Sequence, residues 1–170
     1  ISLTSIEIPD SVQVIGGGAF INCSSLKTIK LSTILTELDS RLFEDCCSLI
    51  SIDAQNIKYI LYDAFNGCTN LKTVTFSEKL TSIGESVFYD CYNLTNIVLP
   101  NSLTYFGKNL FANCYSLTDI ILPSNAQSIP TGTFSSCTNL KSITVSKSIM
   151  TISNDAFSFC TNLESINVDD

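Results

Sequence analysis

The 170-residue chain contains no histidine, and this absence limits the chemistry that it can perform. Histidine is the usual general base in systems built on a serine or cysteine nucleophile, so those arrangements are excluded. It is also a common zinc ligand, and the chain has no Cys-x-x-Cys pair to take its place. Neighbouring carboxylates such as Glu44 and Asp45 occur where solvated polar residues are expected. The sequence therefore predicts a protein that is not an enzyme and that holds no metal or cofactor.

Basic residues are also scarce. The chain has nine lysines and arginines against sixteen acidic residues, which gives a formal net charge of −7. Nucleic acids and anionic membrane surfaces attract basic proteins, so neither is an expected partner. An uninterrupted apolar run of about 18 residues is missing too, and no membrane insertion is expected.

What the chain does contain is an internal repeat. Each copy opens with a leucine, and successive leucines are 23 residues apart except for one interval of 22. These leucines are Leu3, Leu26, Leu49, Leu71, Leu94, Leu117, Leu140 and Leu163. A fixed period of this length is typical of a solenoid, in which each copy forms one coil and coils stack on one another. We number the coils 1 to 8, the eighth being partial, and give positions as residues after the opening leucine.

Two stretches of each copy are predicted to be extended. Apolar residues at plus three and plus five, such as Ile97 and Leu99, alternate with polar ones and are often β-branched, which predicts a short strand. Proline ends this strand at plus six in three copies. The prolines are Pro9, Pro100 and Pro123. A second apolar pair at plus nine and plus twelve, such as Leu103 and Phe106, predicts a weaker strand or an extended turn on the opposite wall.

The rest of each copy is predicted to begin with a helix N-cap. Position plus thirteen is mostly glycine, aspartate, serine or proline, and Pro130 argues against a positive φ there because proline holds φ at about −65°. A single helical turn then carries an apolar pair whose second member is phenylalanine in all seven complete copies. These residues are Phe20, Phe43, Phe65, Phe88, Phe111, Phe134 and Phe157. Stacked on one another, they would fill the middle of the coil.

Seven of the eight cysteines share one position, plus twenty, or plus nineteen in the short copy. They are Cys23, Cys46, Cys68, Cys91, Cys114, Cys137 and Cys160. Their side chains would point the same way from coils about 4.8 Å apart, which disfavours disulfides, so a reduced, buried ladder is predicted. Cys47 lies outside the ladder, either as an exposed thiol or as a partly buried residue.

Beside the cysteines, position plus twenty-two is always serine or asparagine. These residues are Ser25, Ser48, Asn70, Asn93, Ser116, Asn139 and Asn162. Short polar side chains that bond to turn backbone suit a repeated bend.

The pattern Ala-Phe-x-x-Cys-x-x-Leu, followed by x-x-Ile-x-Ile-Pro, resembles the BspA-like, or Treponema-type, leucine-rich repeat, and the resemblance covers the whole chain. Repeat and resemblance together predict a leucine-rich repeat solenoid. It would be a right-handed coil with one parallel β-sheet wall, and with short second strands or extended turns and single helical turns opposite. The family implies a non-enzymatic, cell-surface or secreted protein of host-associated microbes that serves adhesion or protein binding. Its protein ligand would include host extracellular or surface proteins. The family motif defines no site residues.

Residues 1–170 are expected to form one domain, because each coil contacts only its neighbours. Neither end carries the polar capping unit that a solenoid needs, so the chain is expected to be a piece of a longer repeat array. Reduced cysteines are typical of intracellular proteins. An intracellular scaffold for protein–protein assembly is therefore the alternative function.

The candidate binding site comes from the outward positions of the first strand, plus two and plus four. Most of these residues are small and polar, but Val98 and Ile121, in adjacent copies, are apolar. An apolar patch rimmed by polar groups is typical of a contact surface, although β-branched residues favour strands whatever they face. The predicted rim is Thr75, Asn96, Asp119 and Thr144. A second candidate is the tyrosine cluster of Tyr89, Tyr92 and Tyr115.

Overall fold

The computed structural model describes residues 2–169, which form a stack of coils with two walls of parallel strands, three short sheets on the main wall and two on the second. This part of the chain contains fourteen strands, numbered here in chain order, and no helix. The main wall is formed by the first strand of each coil: β1 Ser5–Glu7, β2 Thr28–Lys30, β4 Ser51–Asp53, β6 Thr73–Thr75, β8 Asn96–Ile97, β10 Asp119–Ile121, β12 Ser142–Ser146 and β14 Ser165–Asp169. The second wall is formed by two-residue strands: β3 Glu37–Leu38, β5 Tyr59–Ile60, β7 Ser82–Ile83, β9 Tyr105–Phe106, β11 Ser128–Ile129 and β13 Thr151–Ile152.

Strands of neighbouring coils pair in parallel, with equivalent repeat positions opposite one another. Ile120 of β10 lies opposite Ile143 of β12, and Ile60 of β5 lies opposite Ile83 of β7. This register keeps every apolar column on the same side of the sheet. The parallel solenoid and its second strands, both predicted from the repeat, are confirmed.

The core runs along the stack between the walls. The opening leucines of coils 2 to 7 are fully buried, and so are Phe43, Phe65, Phe88, Phe111 and Phe134. Ring centroids of successive phenylalanines lie 5.4 to 5.6 Å apart, and the ring planes are 1° to 13° from parallel. The predicted stack of phenylalanines is confirmed, and it places a continuous aromatic column at the centre of the coil.

The predicted single helical turns are wrong. Each of the seven turn segments contains two residues with positive φ, at plus fifteen and plus nineteen, or one position earlier in the short copy. The first set is Gly18, Arg41, Asp63, Ser86, Asn109, Gly132 and Asp155. The second set is Asn22, Asp45, Gly67, Asp90, Asn113, Ser136 and Phe159. A left-handed residue ends a right-handed helix, and two of them four residues apart leave no room for one.

Hydrogen bonding in the turn segment alternates between the coil itself and the next coil. The Phe20 N–H donates to the Leu42 carbonyl of the next coil at 3.0 Å. The flanking Ile21 N–H instead donates to the Gly18 carbonyl of its own coil, also at 3.0 Å. A helix would use bonds within one segment, whereas here alternate N–H groups link the coils. We call this linked segment, from plus fourteen to plus nineteen, the turn edge.

Glycine at plus thirteen reflects close approach of backbone between coils. A Cβ on Gly107 would lie 2.5 Å from the Glu85 nitrogen, and one on Gly84 would lie 2.7 Å from the Tyr62 nitrogen. Neither glycine has a positive φ, as Pro130 in the same column predicted. The N-cap interpretation of this column is wrong, because no helix follows.

Candidate binding surface on the main wall

The two apolar side chains predicted on the main wall are exposed. Val98, which directly follows β8, is 81% exposed, and Ile121 in β10 is 67% exposed. Their inward neighbours Ile97 and Ile120 are buried, so the alternation along the strand places both exposed side chains on the outer face. The structure therefore confirms their orientation and leaves two β-branched side chains in water on adjacent coils.

The predicted rim residues lie on the same face. Thr75, Asn96 and Asp119 are exposed, and Thr144 is half-buried directly opposite Ile121 in the ladder. Thr75, Asn96 and Val98 also line a shallow, open groove between coils 4 and 5. The structure thus brings Thr75 and Asn96 against Val98, and Thr144 against Ile121.

Asp119 is the charged member of the rim. Its carboxylate accepts a 2.6 Å hydrogen bond from the Ser142 hydroxyl of the next coil. Hydrogen bonds from Ser142 and Thr118, with a smaller contribution from the Lys141 ammonium, hold the pKa of Asp119 below its usual value. The rim therefore carries a fixed negative charge at neutral pH.

One feature of the patch does not follow from the repeat. Strands β8 and β10 are not paired, although β6 pairs with β8 and β10 pairs with β12. Val98 and Ile121 occupy the same column of the solenoid, but no ladder joins their strands. The patch consequently spans an interruption in the sheet.

The tyrosine cluster on the bend is more enclosed than the patch. Tyr92 and Tyr115 stack with ring centroids 5.0 Å apart, and they are 36% and 38% exposed. Tyr89 is half-buried. Desolvation and the nearby Asp90 carboxylate raise the pKa of Tyr92. The stack occupies ring surface that a partner would otherwise cover, which makes this cluster the weaker candidate.

Sequence reasoning missed a set of tyrosines on the second wall. Tyr59 and Tyr105 point outward from β5 and β9, Tyr62 lies close by, and all three are about half exposed. The sequence contained the signal for them. Along the second strand the plus-twelve residue points inward, so the residue before it must face outward. Tyr105 also lines a groove on the second wall with Gly107, Gln127 and others.

The cysteine ladder is organised by hydrogen bonds to backbone. The Cys114 thiol donates to the Phe88 carbonyl at 3.2 Å, and the Cys137 thiol donates to the Phe111 carbonyl at 3.1 Å. The same bond joins the ladder thiol to the phenylalanine of the coil before it in four more coils. All eight cysteines are free in the structure. Each ladder thiol from coil 2 onward thus stabilises a contact between two coils.

Burial differs along this ladder. Five members are fully buried, but the end members Cys23 and Cys160 are half-buried, so the prediction that all seven are buried is wrong at the ends. Burial raises the pKa of Cys46 to about 12 and that of Cys91 well above its usual value. Cys47 is half-buried and its thiol donates to the Asp45 carbonyl at 3.3 Å. The fully buried ladder thiols are therefore not nucleophiles at neutral pH.

The four asparagines of the polar ladder bond to turn backbone as predicted, but the backbone belongs to the preceding coil. The Asn139 side-chain amide donates to the Tyr115 backbone carbonyl at 2.7 Å, and the Asn162 side-chain amide donates to the Thr138 backbone carbonyl at 2.8 Å. Asn70 and Asn93 make equivalent bonds. These side chains add a second set of links between coils.

No group of cysteine, aspartate and glutamate side chains within residues 2–169 is arranged to hold a metal ion. The same residues include no helix long and apolar enough to cross a membrane.

Two comparisons connect this geometry to known proteins. The profile of the BspA type leucine-rich repeat region matches six copies, over residues 1–118 and 60–170. Among solved structures, the T. pallidum leucine-rich repeat protein TpLRR has a TM-score of 0.88 at 25% identity, over 95% of this chain and 78% of that one. No curated protein sequence matches the chain.

Two further solved structures are longer than this chain. A leucine-rich repeat protein from Bacteroides ovatus has a TM-score of 0.73 at 31% identity, over 95% of this chain and 48% of that one. The pneumococcal vaccine antigen PcpA has a TM-score of 0.62 at 22% identity, over 96% of this chain and 50% of its own length, and shows the shared fold. This chain therefore spans about half the length of those two proteins. With the matched repeats covering its whole length, the chain belongs to the BspA-type leucine-rich repeat family.

Proposed function

We propose that this chain is a non-enzymatic protein-interaction module whose partner docks on the main wall around Val98 and Ile121. The observation that carries the proposal is the exposure of these two β-branched side chains, 81% and 67%, on a wall whose other outward residues are mostly polar. A water-exposed apolar pair within a polar surface is typical of a contact site. Family membership supports the same class of function, since leucine-rich repeats are protein-interaction scaffolds.

The geometry suits a flat protein surface with an apolar centre. Val98 and Ile121 would each contribute about 1–3 kcal/mol if a partner buried them fully. Thr75, Asn96 and Thr144 surround them with hydroxyl and amide groups, which fix orientation and contribute less to affinity. A partner of this surface therefore presents an apolar centre and a hydrogen-bonding rim.

Charge narrows the class of partner. Asp119 in the rim is ionised at neutral pH, its pKa being lowered further by its hydrogen bonds, and the chain as a whole has a net charge of −7. Complementary charge steers encounter and selects partners. The partner is therefore a protein whose contact surface is cationic at its edge.

We place this module on the cell surface or in the secreted fraction, in adhesion to a host extracellular or surface protein. Support comes from the BspA-type family, whose resemblance implies a surface-exposed or secreted protein used in adhesion. The alternative is an intracellular scaffold for protein assembly. It is supported by the free thiols of the ladder, which suit a reducing compartment.

The test compares two double variants against a panel of purified extracellular host proteins. Val98→Asp with Ile121→Asp places two carboxylates on the patch without touching the core. The matched control, Val14→Asp with Met150→Asp, alters two apolar side chains that are equally exposed, 78% and 76%, and that lie off the main wall. Circular dichroism and a thermal melt establish that both variants are folded.

For a partner that binds the parent protein, the patch variant is expected to raise Kd by at least about 30-fold, because about 2 kcal/mol or more of apolar burial is lost. The control variant is expected to bind like the parent. Equal binding by the folded patch variant would show that this surface is not the docking site, and Tyr92 and Tyr115 would be tested next.

A further inference from the structure

Backbone hydrogen bonds join neighbouring coils at fixed positions of the repeat. On the main wall, the plus-one N–H donates to the plus-one carbonyl of the preceding coil, as from Lys141 to Thr118 at 2.8 Å. On the second wall, the plus-ten N–H donates to the plus-ten carbonyl of the preceding coil, as from Met150 to Gln127 at 2.8 Å. These rows hold the two walls of one coil to the next.

Both rows are interrupted at the same place, between coil 5 (94–116) and coil 6 (117–139). The N–H groups of Thr118 and Gln127 make no backbone bond to coil 5, and neither β8 with β10 nor β9 with β11 is paired. At every other junction at least one wall stays paired. Strand β3 pairs with β5 at the junction where β2 and β4 are not paired, and β1 pairs with β2 at the first junction. Within residues 2–169 this is the one junction at which neither wall has a backbone bond. We call it the seam.

Pro130 accounts for one of the missing bonds on the second wall. At plus thirteen, Gly107 donates its N–H to the Ile83 carbonyl at 3.0 Å, and Ser153 donates to the Ile129 carbonyl at 2.9 Å. Pro130 is the equivalent residue of coil 6, and proline has no N–H to donate to the Phe106 carbonyl. The missing donor removes a link of the ladder, and an open groove lined by Phe106, Gly107 and Pro130 lies at this point.

The turn edge, in contrast, is continuous across the seam. Its three backbone bonds, Asn109 to Thr131 at 3.0 Å, Phe111 to Thr133 at 2.8 Å and Asn113 to Ser135 at 2.8 Å, match those at the other junctions. The planes of Phe111 and Phe134 are 13° apart, the largest tilt in the central phenylalanine stack. Coils 5 and 6 are thus held firmly along one side.

On the opposite side, at the corner between the walls, two exposed side chains bridge the seam, those of Asn101 and Asn125. The Asn101 side-chain oxygen accepts a 2.9 Å hydrogen bond from the Ser124 backbone N–H. The Asn101 backbone carbonyl accepts a 3.0 Å hydrogen bond from the Asn125 side-chain amide. All three residues are exposed, so water competes for these bonds. They form a weak closure opposite a strong one.

We propose that the seam is a hinge, with the turn edge as its axis and Asn101 as its latch. When the latch opens, coils 1–5 and coils 6–8 swing apart at the walls while the three turn-edge bonds stay made. Val98 lies on coil 5 and Ile121 on coil 6, so the swing changes the distance between them. The hinge itself rests only on the hydrogen-bond pattern and stands whether or not a partner docks there.

Amide hydrogen exchange of the parent protein is the first test. The hinge predicts that the Ser124 amide, which donates to the Asn101 latch, exchanges at least about tenfold faster than the Ser102 and Thr33 amides, which make similar corner bonds at junctions where the main wall is paired. The Phe111 amide, on the axis, should remain protected. Protection of Ser124 equal to that of Ser102 and Thr33 would overturn the proposal.

Paired spin labels measured by electron paramagnetic resonance test the motion. Labels at Ser82 and Thr151 span the seam, whereas labels at Glu37 and Tyr105 do not. Both pairs lie on the second wall, three coils or about 14 Å apart. Labels carried by a ketone-bearing amino acid avoid the native cysteines. The pair across the seam is expected to show the broader distance distribution, and equal widths would refute the hinge.

Two variants should move that width in opposite directions. Asn101→Ala removes the side-chain oxygen of the latch and should broaden the distribution across the seam, whereas Pro130→Ser restores the N–H and should narrow it. Asp10→Ala is the matched control, since its carboxylate accepts a similar 2.8 Å corner bond from the Thr33 N–H at a junction where the main wall is paired. An unchanged width in Asn101→Ala contradicts the latch. Should Pro130→Ser fail to fold, the parent and Asn101→Ala still decide the outcome.

Discussion

Phe111→Ala probes the column that holds the coils together. Phe111 is fully buried, and its ring lies 5.6 Å from both Phe88 and Phe134. Its carbonyl also accepts bonds from the Cys114 N–H and the Cys137 thiol, both at 3.1 Å. The substitution leaves these backbone contacts in place, so it reports on the ring alone.

The expected cost follows from what the ring contacts. Replacing a buried phenylalanine by alanine typically destabilises a protein by about 3–5 kcal/mol, through lost transfer free energy and the cavity that remains. Two stacked neighbours place Phe111 toward the upper part of that range, since each aromatic pair contributes about 0.5–1.5 kcal/mol beyond burial. Phe20 is half-buried and stacks on one ring, Phe43. Phe20→Ala should therefore cost less, by about 1–2 kcal/mol.

The assay is a urea titration of the parent and both variants, followed by circular dichroism and analysed with a common slope. The free energy of unfolding should fall more for Phe111→Ala than for Phe20→Ala. Equal losses at the two sites would refute the reasoning, because a stack of nearest neighbours must be more sensitive at its centre than at its edge.

Two more predictions concern packing between coils and the thiols. Gly107→Ala should lower the free energy of unfolding by about 1–3 kcal/mol, because the added Cβ meets Glu85 backbone. Gly16→Ala, whose added Cβ has no atom within 4 Å, should change that free energy by less than about 0.5 kcal/mol. Denaturant titration measures both variants, and equal effects would contradict the contact. A thiol reagent should modify the half-buried Cys47, Cys23 and Cys160 first, and all eight cysteines only after denaturation. Disulfides within the ladder, found by mass spectrometry, would contradict this prediction.

Much of the fold follows from the sequence because the repeat is a nearest-neighbour structure. A leucine every 23 residues places equivalent residues opposite one another, so alternation within one copy predicts the inward Ile97 and the outward Val98. The phenylalanine column follows for the same reason: an identical residue in every copy must stack on its own image. The tyrosines at 59 and 105 could have been found by the same rule applied to the second strand.

The turn segment could not be read in this way. An apolar pair between polar residues fits a helical turn, and aspartate, asparagine, serine and even arginine and phenylalanine occupy the left-handed positions. What selects those φ values is the next coil, whose carbonyls take every second N–H of the segment. That requirement is absent from any single copy, so local propensity favoured the wrong structure.

By itself, the sequence determined the parallel walls, the phenylalanine column and the cysteine register, because equal spacing forces equal placement. Only the tertiary structure decided which hydrogen bonds join the coils, and hence where they fail. In the sequence, Pro130 is one proline in a column of mostly glycine, aspartate and serine. In the fold it is the missing donor opposite the Phe106 carbonyl, at the junction where β8 does not pair with β10 and β9 does not pair with β11. The physical reason is that a hydrogen bond depends on the distance and direction between two coils, which neither copy of the repeat contains alone.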